Sequence, residues 1–280
     1  MAYTTPNTGI IRPWNYSKNR YIHRTVMLTC PTPTATIEQA VSIPCPGRLV
    51  AVMYGDDNRT DRYDFGTTLT SGALTILADT ADGAQIFTDA DVSSTVSVRP
   101  NAIGTTAGDE TNVATAATDG FSGGFPVRGG AYVSFSSGTQ TEVLIVDMWF
   151  RLCSYVKTSL SSASGADGSG IMTKTIGLGN AGVLSAVAVD YQNMPATTDI
   201  LVKADTTNGP VLWGNASSAT DIAPTLIGGP ALDEAIAAGA ATDGTESGNA
   251  FMRGLFVDVA QADAFTTGDE QIIMEFWIDD

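Results

Sequence analysis

The chain has 280 residues, with 14 Lys and Arg against 30 Asp and Glu, a formal net charge of −16, and 43% hydrophobic residues. That length holds one large or two ordinary domains and can bury a core without disulfide staples. The acidity opposes nucleic acid or anionic membrane as a partner over the whole surface, and no apolar run approaches the length of a membrane-spanning helix.

Residues 1–24 run against the overall charge. They carry Arg12, Lys18, Arg20 and Arg24, and the first acid is Glu38. Tyr3, Trp14, Tyr16 and Tyr21 are mixed in, while Pro6, Pro13 and several Asn discourage helix. An extended basic arm with aromatics suits capture by a partner surface, so Arg12, Trp14, Tyr16, Lys18, Arg20 and Tyr21 are the candidate partner-binding residues. The opening Met-Ala-Tyr-Thr-Thr-Pro-Asn lacks a charged stretch followed by an apolar one, and no secretion signal is expected. Cys30, Cys45 and Cys153 are few, odd in number and without metal spacing, which fits inert thiols in a reducing compartment. Cys30 and Cys45 flank an expected hairpin and could lie close together.

From residue 25 onward, short apolar runs alternate with turn residues. Strands are expected at 25–30, 37–43, 48–54, 73–78, 84–88, 95–99, 131–136 and 142–152. The Ser- and Gly-rich stretch 158–170 has linker composition. Further strands are expected at 172–177, 183–190, 199–204, 210–213, 251–260 and 270–278, with one short helix at 231–241 after Pro230.

The two series repeat one another. Ala78-Asp79-Thr80-Ala81-Asp82-Gly83 recurs as Ala204-Asp205-Thr206-Thr207-Asn208-Gly209, 126 positions on. Residues 109–120 and 233–244 share eight of twelve positions, from Asp109-Glu110 and Asp233-Glu234 to a common Ala-Ala-Thr-Asp-Gly. Arg128-Gly129 recurs as Arg253-Gly254, and both series close on a tryptophan-bearing strand, at Trp149 and Trp277. A unit of this size is a duplicated domain rather than a solenoid repeat. The expected fold is all-β: an arm at 1–24, a first antiparallel β-sandwich at 25–157, a linker at 158–170 and a second sandwich at 171–280. Each sandwich should be jelly-roll or Greek-key in kind.

Signals for chemistry are thin. Gly177-Leu-Gly179-Asn-Ala-Gly182 fits a dinucleotide fingerprint, but Val183–Val189 reads as strand where the fingerprint needs a helix. Asp56, Asp57, Asp61 and Asp64 form an acidic loop without the frame of a calcium hand. Asp109-Glu110 and Asp233-Glu234 are adjacent acids, which rarely face one cleft. His23 is the one histidine, and no nucleophile motif accompanies it. Asn15, Asn58 and Asn215 head glycosylation sequons expected to go unused, and Trp149 and Trp277 are expected in the sandwich cores. No catalytic residue, cofactor or metal is expected.

The phrases Thr198-Asp-Ile-Leu-Val-Lys-Ala-Asp205 and Gly254-Leu-Phe-Val-Asp-Val-Ala-Gln-Ala-Asp263 resemble the capsid decoration and cement proteins of tailed-phage particles. The resemblance implies a non-enzymatic virion protein that binds an assembled shell, with the major capsid protein or other virion proteins as partners. It also implies self-association, with a trimer at a three-fold site, and assembly in the host cytoplasm. No functional residue carries over from it. A tail or fibre module binding a host glycan, and an enzyme on a sandwich scaffold, are the alternatives.

Overall fold

The computed structural model describes residues 9–11, 21–55, 72–90, 92, 101–102, 110–111, 124–137, 143–160, 170–227, 249–262 and 271–279. They form strands throughout. The chain divides into two compact units, one of Pro13–Leu152 and one of Cys153–Asp280 together with Met1–Arg12.

After β1 (Gly9–Ile11), the first unit runs β2 (Tyr21–Thr29), β3 (Thr36–Ser42), β4 (Gly47–Gly55), β5 (Gly72–Ala78) and β6 (Gln85–Asp89). It continues with β7 (Asn101–Ala102), β8 (Glu110–Thr111), β9 (Phe125–Val127), β10 (Gly130–Ser137) and β11 (Val143–Leu152). One sheet has the order β2-β11-β4-β7, with β9 also on β4; the other has the order β3-β10-β5-β6-β8. All pairs are antiparallel except β6 with β8.

The second unit runs β12 (Ser154–Leu160), β13 (Gly170–Gly177), β14 (Gly182–Asp190), β15 (Asp199–Ala204) and β16 (Val211–Asn215). It ends with β17 (Ile222–Leu226), β18 (Asn249–Phe251), β19 (Gly254–Ala262) and β20 (Ile272–Asp279). Its sheets are β1-β12-β20-β14-β17, with β18 also on β14, and β13-β19-β15-β16.

Set side by side, the two topologies share one order of central strands, with β1 added to the second unit and β8 to the first. The first strand of each unit lies beside the last, which lies beside the third; the second lies beside the penultimate, which lies beside the fourth and then the fifth. That pairing scheme, in two facing sheets, is a jelly roll. The expected all-β tandem sandwich is therefore what forms, and the duplication extends from repeated words to the order of the central strands.

Period-two burial builds each core. In β19 the side chains of Leu255, Val257 and Val259 are buried, and in β20 those of Ile272, Met274, Phe276 and Ile278 join them in one cluster. In the first unit Leu144, Val146, Met148, Phe150 and Leu152 of β11 are likewise buried, with Val26 and Leu28 beside them on β2. Each such aliphatic or aromatic side chain contributes about 1.5–3 kcal/mol on burial.

Two differences from the sequence expectation have physical causes. The units divide between Leu152 and Cys153, whereas composition had placed a linker at 158–170. Residues 154–160 form β12, the second unit's counterpart of β2, because Val156 and Leu160, with the small Ser154 and Thr158, fall on one buried face, Tyr155 and Lys157 alternate to the other, and the strand pairs along β20. The arm boundary at 24 also falls inside a strand, since residues 21–24 begin β2. Strands β1, β7, β8, β9 and β17 were not anticipated, β1 falling inside the expected arm and pairing with β12, and the expected strand at 251–260 is divided between β18 and β19. The expected strand at 95–99 and helix at 231–241 lie outside the described residues.

Candidate functional site

At one end of each unit three turns are tied together by a single aspartate. Asp79 follows β5 and has φ of 60°, and Asp205 follows β15 with φ of 59°. The Asp79 carboxylate accepts the backbone N–H groups of Arg128, Gly129 and Gly130 at 2.8, 2.7 and 3.2 Å. The Asp205 carboxylate accepts those of Met252, Arg253 and Gly254 at 3.2, 2.6 and 3.0 Å. These donors hold the Asp205 carboxyl below its ordinary range, the Arg253 N–H foremost.

The backbone around each aspartate repeats as well. Asp79 N–H donates to Gly130 O at 3.2 Å, and Asp205 N–H to Gly254 O at 2.9 Å. The turn before β4 is tied in by Ile43 N–H to Gly129 O at 2.9 Å; its counterpart donates from Leu178 and Gly179 to Arg253 O at 2.9 and 3.0 Å. A Cβ on Gly83 or Gly209 would drive into the carbonyl oxygen of Ala78 or Ala204, so each turn needs glycine there. The repeated Ala-Asp-Thr…Gly turn and the segment that ends at Gly130 or Gly254 are thus two halves of one clasp, in which Arg253 stands where Gly129 does, one residue out of step with the repeated Arg-Gly word.

A second matched feature lies on the face of the β2–β11–β4 sheet turned away from its core. His23 Nε2 is 2.9 Å from Asp147 Oδ1, and the Thr25 hydroxyl donates to the same oxygen at 2.5 Å. The His23 ring stacks on Trp149 with centroids 4.8 Å apart. In the second unit Tyr155 meets Trp277 edge-on at 5.2 Å, and Lys157 Nζ lies 3.2 Å from Glu275 Oε1. The registers make these equivalent: Trp149 is opposite His23 and Ala51, and Trp277 is opposite Tyr155 and Ala186.

The tryptophans correct the sequence reading. Trp277 is fully buried, but in a separate cluster with Cys153, Tyr155, Ala186 and Ala188 rather than among the side chains between the sheets. Trp149 is half-buried on the corresponding face. Both are one residue out of phase with the core-facing positions of their strands, and alternation sends them to the other side.

Of the candidate partner-binding residues, Tyr21 opens β2 and is 57% exposed. Arg12, Trp14, Tyr16, Lys18 and Arg20 lie outside the described residues, as do Asp56, Asp57, Asp61, Asp64, Asp109, Asp233 and Glu234. The glycine-rich run 177–182 leads into strand β14, so it lacks the helix start that a dinucleotide's pyrophosphate requires. Cys30, Cys45 and Cys153 are buried free thiols, and burial pushes the Cys45 thiol up. Asn215 Nδ2 donates to the Tyr191 hydroxyl at 2.9 Å, so this sequon amide is engaged.

One buried polar pair lies in the first unit's core: the Tyr54 hydroxyl donates to Asp89 Oδ2 at 2.5 Å. Burial, then the Asp89 hydrogen bond, pushes the phenol well above its ordinary range. A neutral phenol bonded to a carboxylate is a satisfied core contact, not a poised base. Among the described residues no three His, Cys, Asp or Glu side chains group as metal ligands.

No family model matches the chain, and no curated protein does. Among solved structures it is similar to the crystal structure of PBCV-1 VP54 fitted into a cryo-EM reconstruction of the virophage Sputnik. That likeness covers 95% of each chain at 7% identity with a TM-score of 0.27, and it fixes neither fold nor role.

Proposed function

We propose that this chain is a structural component of a virus particle, and within that role a decoration or cement subunit that binds an assembled shell. The observation that carries the reading is the duplication of one jelly roll, an architecture used by capsid and lectin domains. The polar groups of the matched features are spent on holding backbone and sheet faces. Their partners are main-chain N–H groups or each other, which suits a scaffold of fixed shape. Repeated weak contacts to a symmetric shell add through avidity, so such a subunit needs no deep pocket. Coat protein and other copies of the chain are its partners in this reading, and the virion is its place.

The same duplication favours a second reading, the coat subunit itself, because each chain brings two equivalent wall-forming modules. Reconstitution separates the two. Purified chain added to shells stripped of it is expected to rebind saturably, in a ratio set by the shell's symmetry. Closed shells formed by the chain alone select the coat reading. Binding to a glycan panel without any attachment to shells, or absence of the chain from purified particles by mass spectrometry, overturns both.

A further inference from the structure

The clasp turn of the second unit carries a reactive amide where its sister carries an acid. Asn208-Gly209 is the one Asn-Gly pair among the chain's eleven asparagines, and Asp82-Gly83 holds the same place in the first unit. Asn208 is exposed, so water reaches its amide, and Gly209 puts no side chain beside the backbone nitrogen that follows.

The same bonds close both turns. Thr80 and Thr206 N–H donate to Ala78 and Ala204 O at 2.6 Å each, and Gly83 and Gly209 N–H to Thr80 and Thr206 O at 3.0 and 2.9 Å. Ala78 N–H donates to Ala84 O at 2.8 Å, and Ala204 N–H to Pro210 O at 2.9 Å. Asparagine and aspartate are therefore interchangeable in this frame. A longer backbone is not: a Cβ on Gly209 would already run into the Ala204 carbonyl oxygen, so the main chain has no slack there.

We propose that Asn208 is a site of spontaneous deamidation, which with age either gives the second unit the first unit's Asp-Gly turn or breaks the turn open. The Gly209 nitrogen attacks the Asn208 side-chain carbonyl carbon. A C–N bond forms, the side-chain nitrogen leaves as ammonia with the proton that Gly209 gives up, and a succinimide ring remains. Water then opens the ring at one of its two carbonyls. Cleavage of the new bond yields aspartate, which adds a negative charge and leaves the turn as Asp82 has it. Cleavage of the original backbone bond yields isoaspartate, whose extra main-chain methylene has no room beside the Ala204 carbonyl, so the closing bonds are lost. The obstacle to the first step is the Gly209 N–H bond to Thr206 O, a single hydrogen bond in an exposed turn. The proposal does not depend on the virion reading.

The test incubates the full chain at mildly alkaline pH, native and in denaturant, until the denatured sample has lost half of its Asn208 amide. Both samples are then mapped by peptide mass, with isoaspartate read by a specific methyltransferase. The native chain is expected to convert Asn208 before any other asparagine, at a rate within about tenfold of the denatured one, the factor that one turn hydrogen bond supplies. Asn208→Asp is expected to melt with the wild type, and the isoaspartate fraction of the aged chain below it. Native conversion slower than that, another asparagine converting first, an Asn208→Asp chain that melts below the wild type, or isoaspartate chains that melt with it would overturn the proposal.

Discussion

Asp79 and Asp205 each hold three main-chain donors with one carboxylate, in a backbone conformation most residues avoid. Removing the acceptor leaves those donors to water. Asp79→Ala is expected to lower stability by about 1–3 kcal/mol, read as a lower denaturation midpoint in urea. Gly83→Ala should also destabilise, since its methyl group has no room beside the Ala78 carbonyl. Asp205 adds a pH dependence. Its folded-state carboxyl titrates lower than in the unfolded chain, so its contribution is complete above the ordinary carboxylate range and is lost as pH falls through the folded value. Asp205→Asn should flatten the acid limb of the melting-temperature profile.

Tyr191 works in the alkaline direction: burial pushes its phenol up to about 12 from an ordinary 10.0. The folded state then keeps a proton that the unfolded chain gives up. That stabilisation is whole below pH 10 and disappears as pH rises toward 12. Tyr191→Phe should shift the onset of alkaline unfolding upward relative to its own stability at neutral pH. The repeated aspartates were legible in the sequence as repeated words. Their purpose was not, because each donor lies about fifty residues along the chain, and only strand pairing brings it near.

At the scale of elements, most strands were legible because apolar and polar residues alternate with period two between turn residues. Expected strands at 48–54, 73–78, 199–204 and 142–152 match β4, β5, β15 and β11 within a residue or two. β12 was hidden because its Ser and Thr imitate a linker; only pairing with β20 reveals Val156 and Leu160 as core residues. The tryptophan strands were found, but the face taken by each indole was not, since local sequence does not say which side of a strand is covered. Trp277→Ala is expected to cost about 3–5 kcal/mol by denaturant unfolding, and Trp149→Ala less, as its ring is half-exposed. An arm deletion that tests shell attachment should remove only residues 13–20, so that β1, which pairs with β12, and β2 both stay whole.

At the scale of the molecule, one jelly roll has been copied and the copies have diverged in charge and in what covers their outer faces. The second unit is the more acidic, its first strand is flanked by β1, and its aromatic pair is shut away. The first unit keeps its ring pair, His23 on Trp149, nearer solvent. The two arrangements rest on the same covalent order of strands, so they should share one geometric frame.

Experimental coordinates at side-chain resolution test that frame most directly. Laying residues 153–280 on residues 21–152 should bring Asp205 onto Asp79, Gly254 onto Gly130 and Trp277 onto Trp149 at once. Halves whose sheets align in a different strand order, or clasps that fall at opposite ends of the aligned sandwiches, would contradict a common jelly roll.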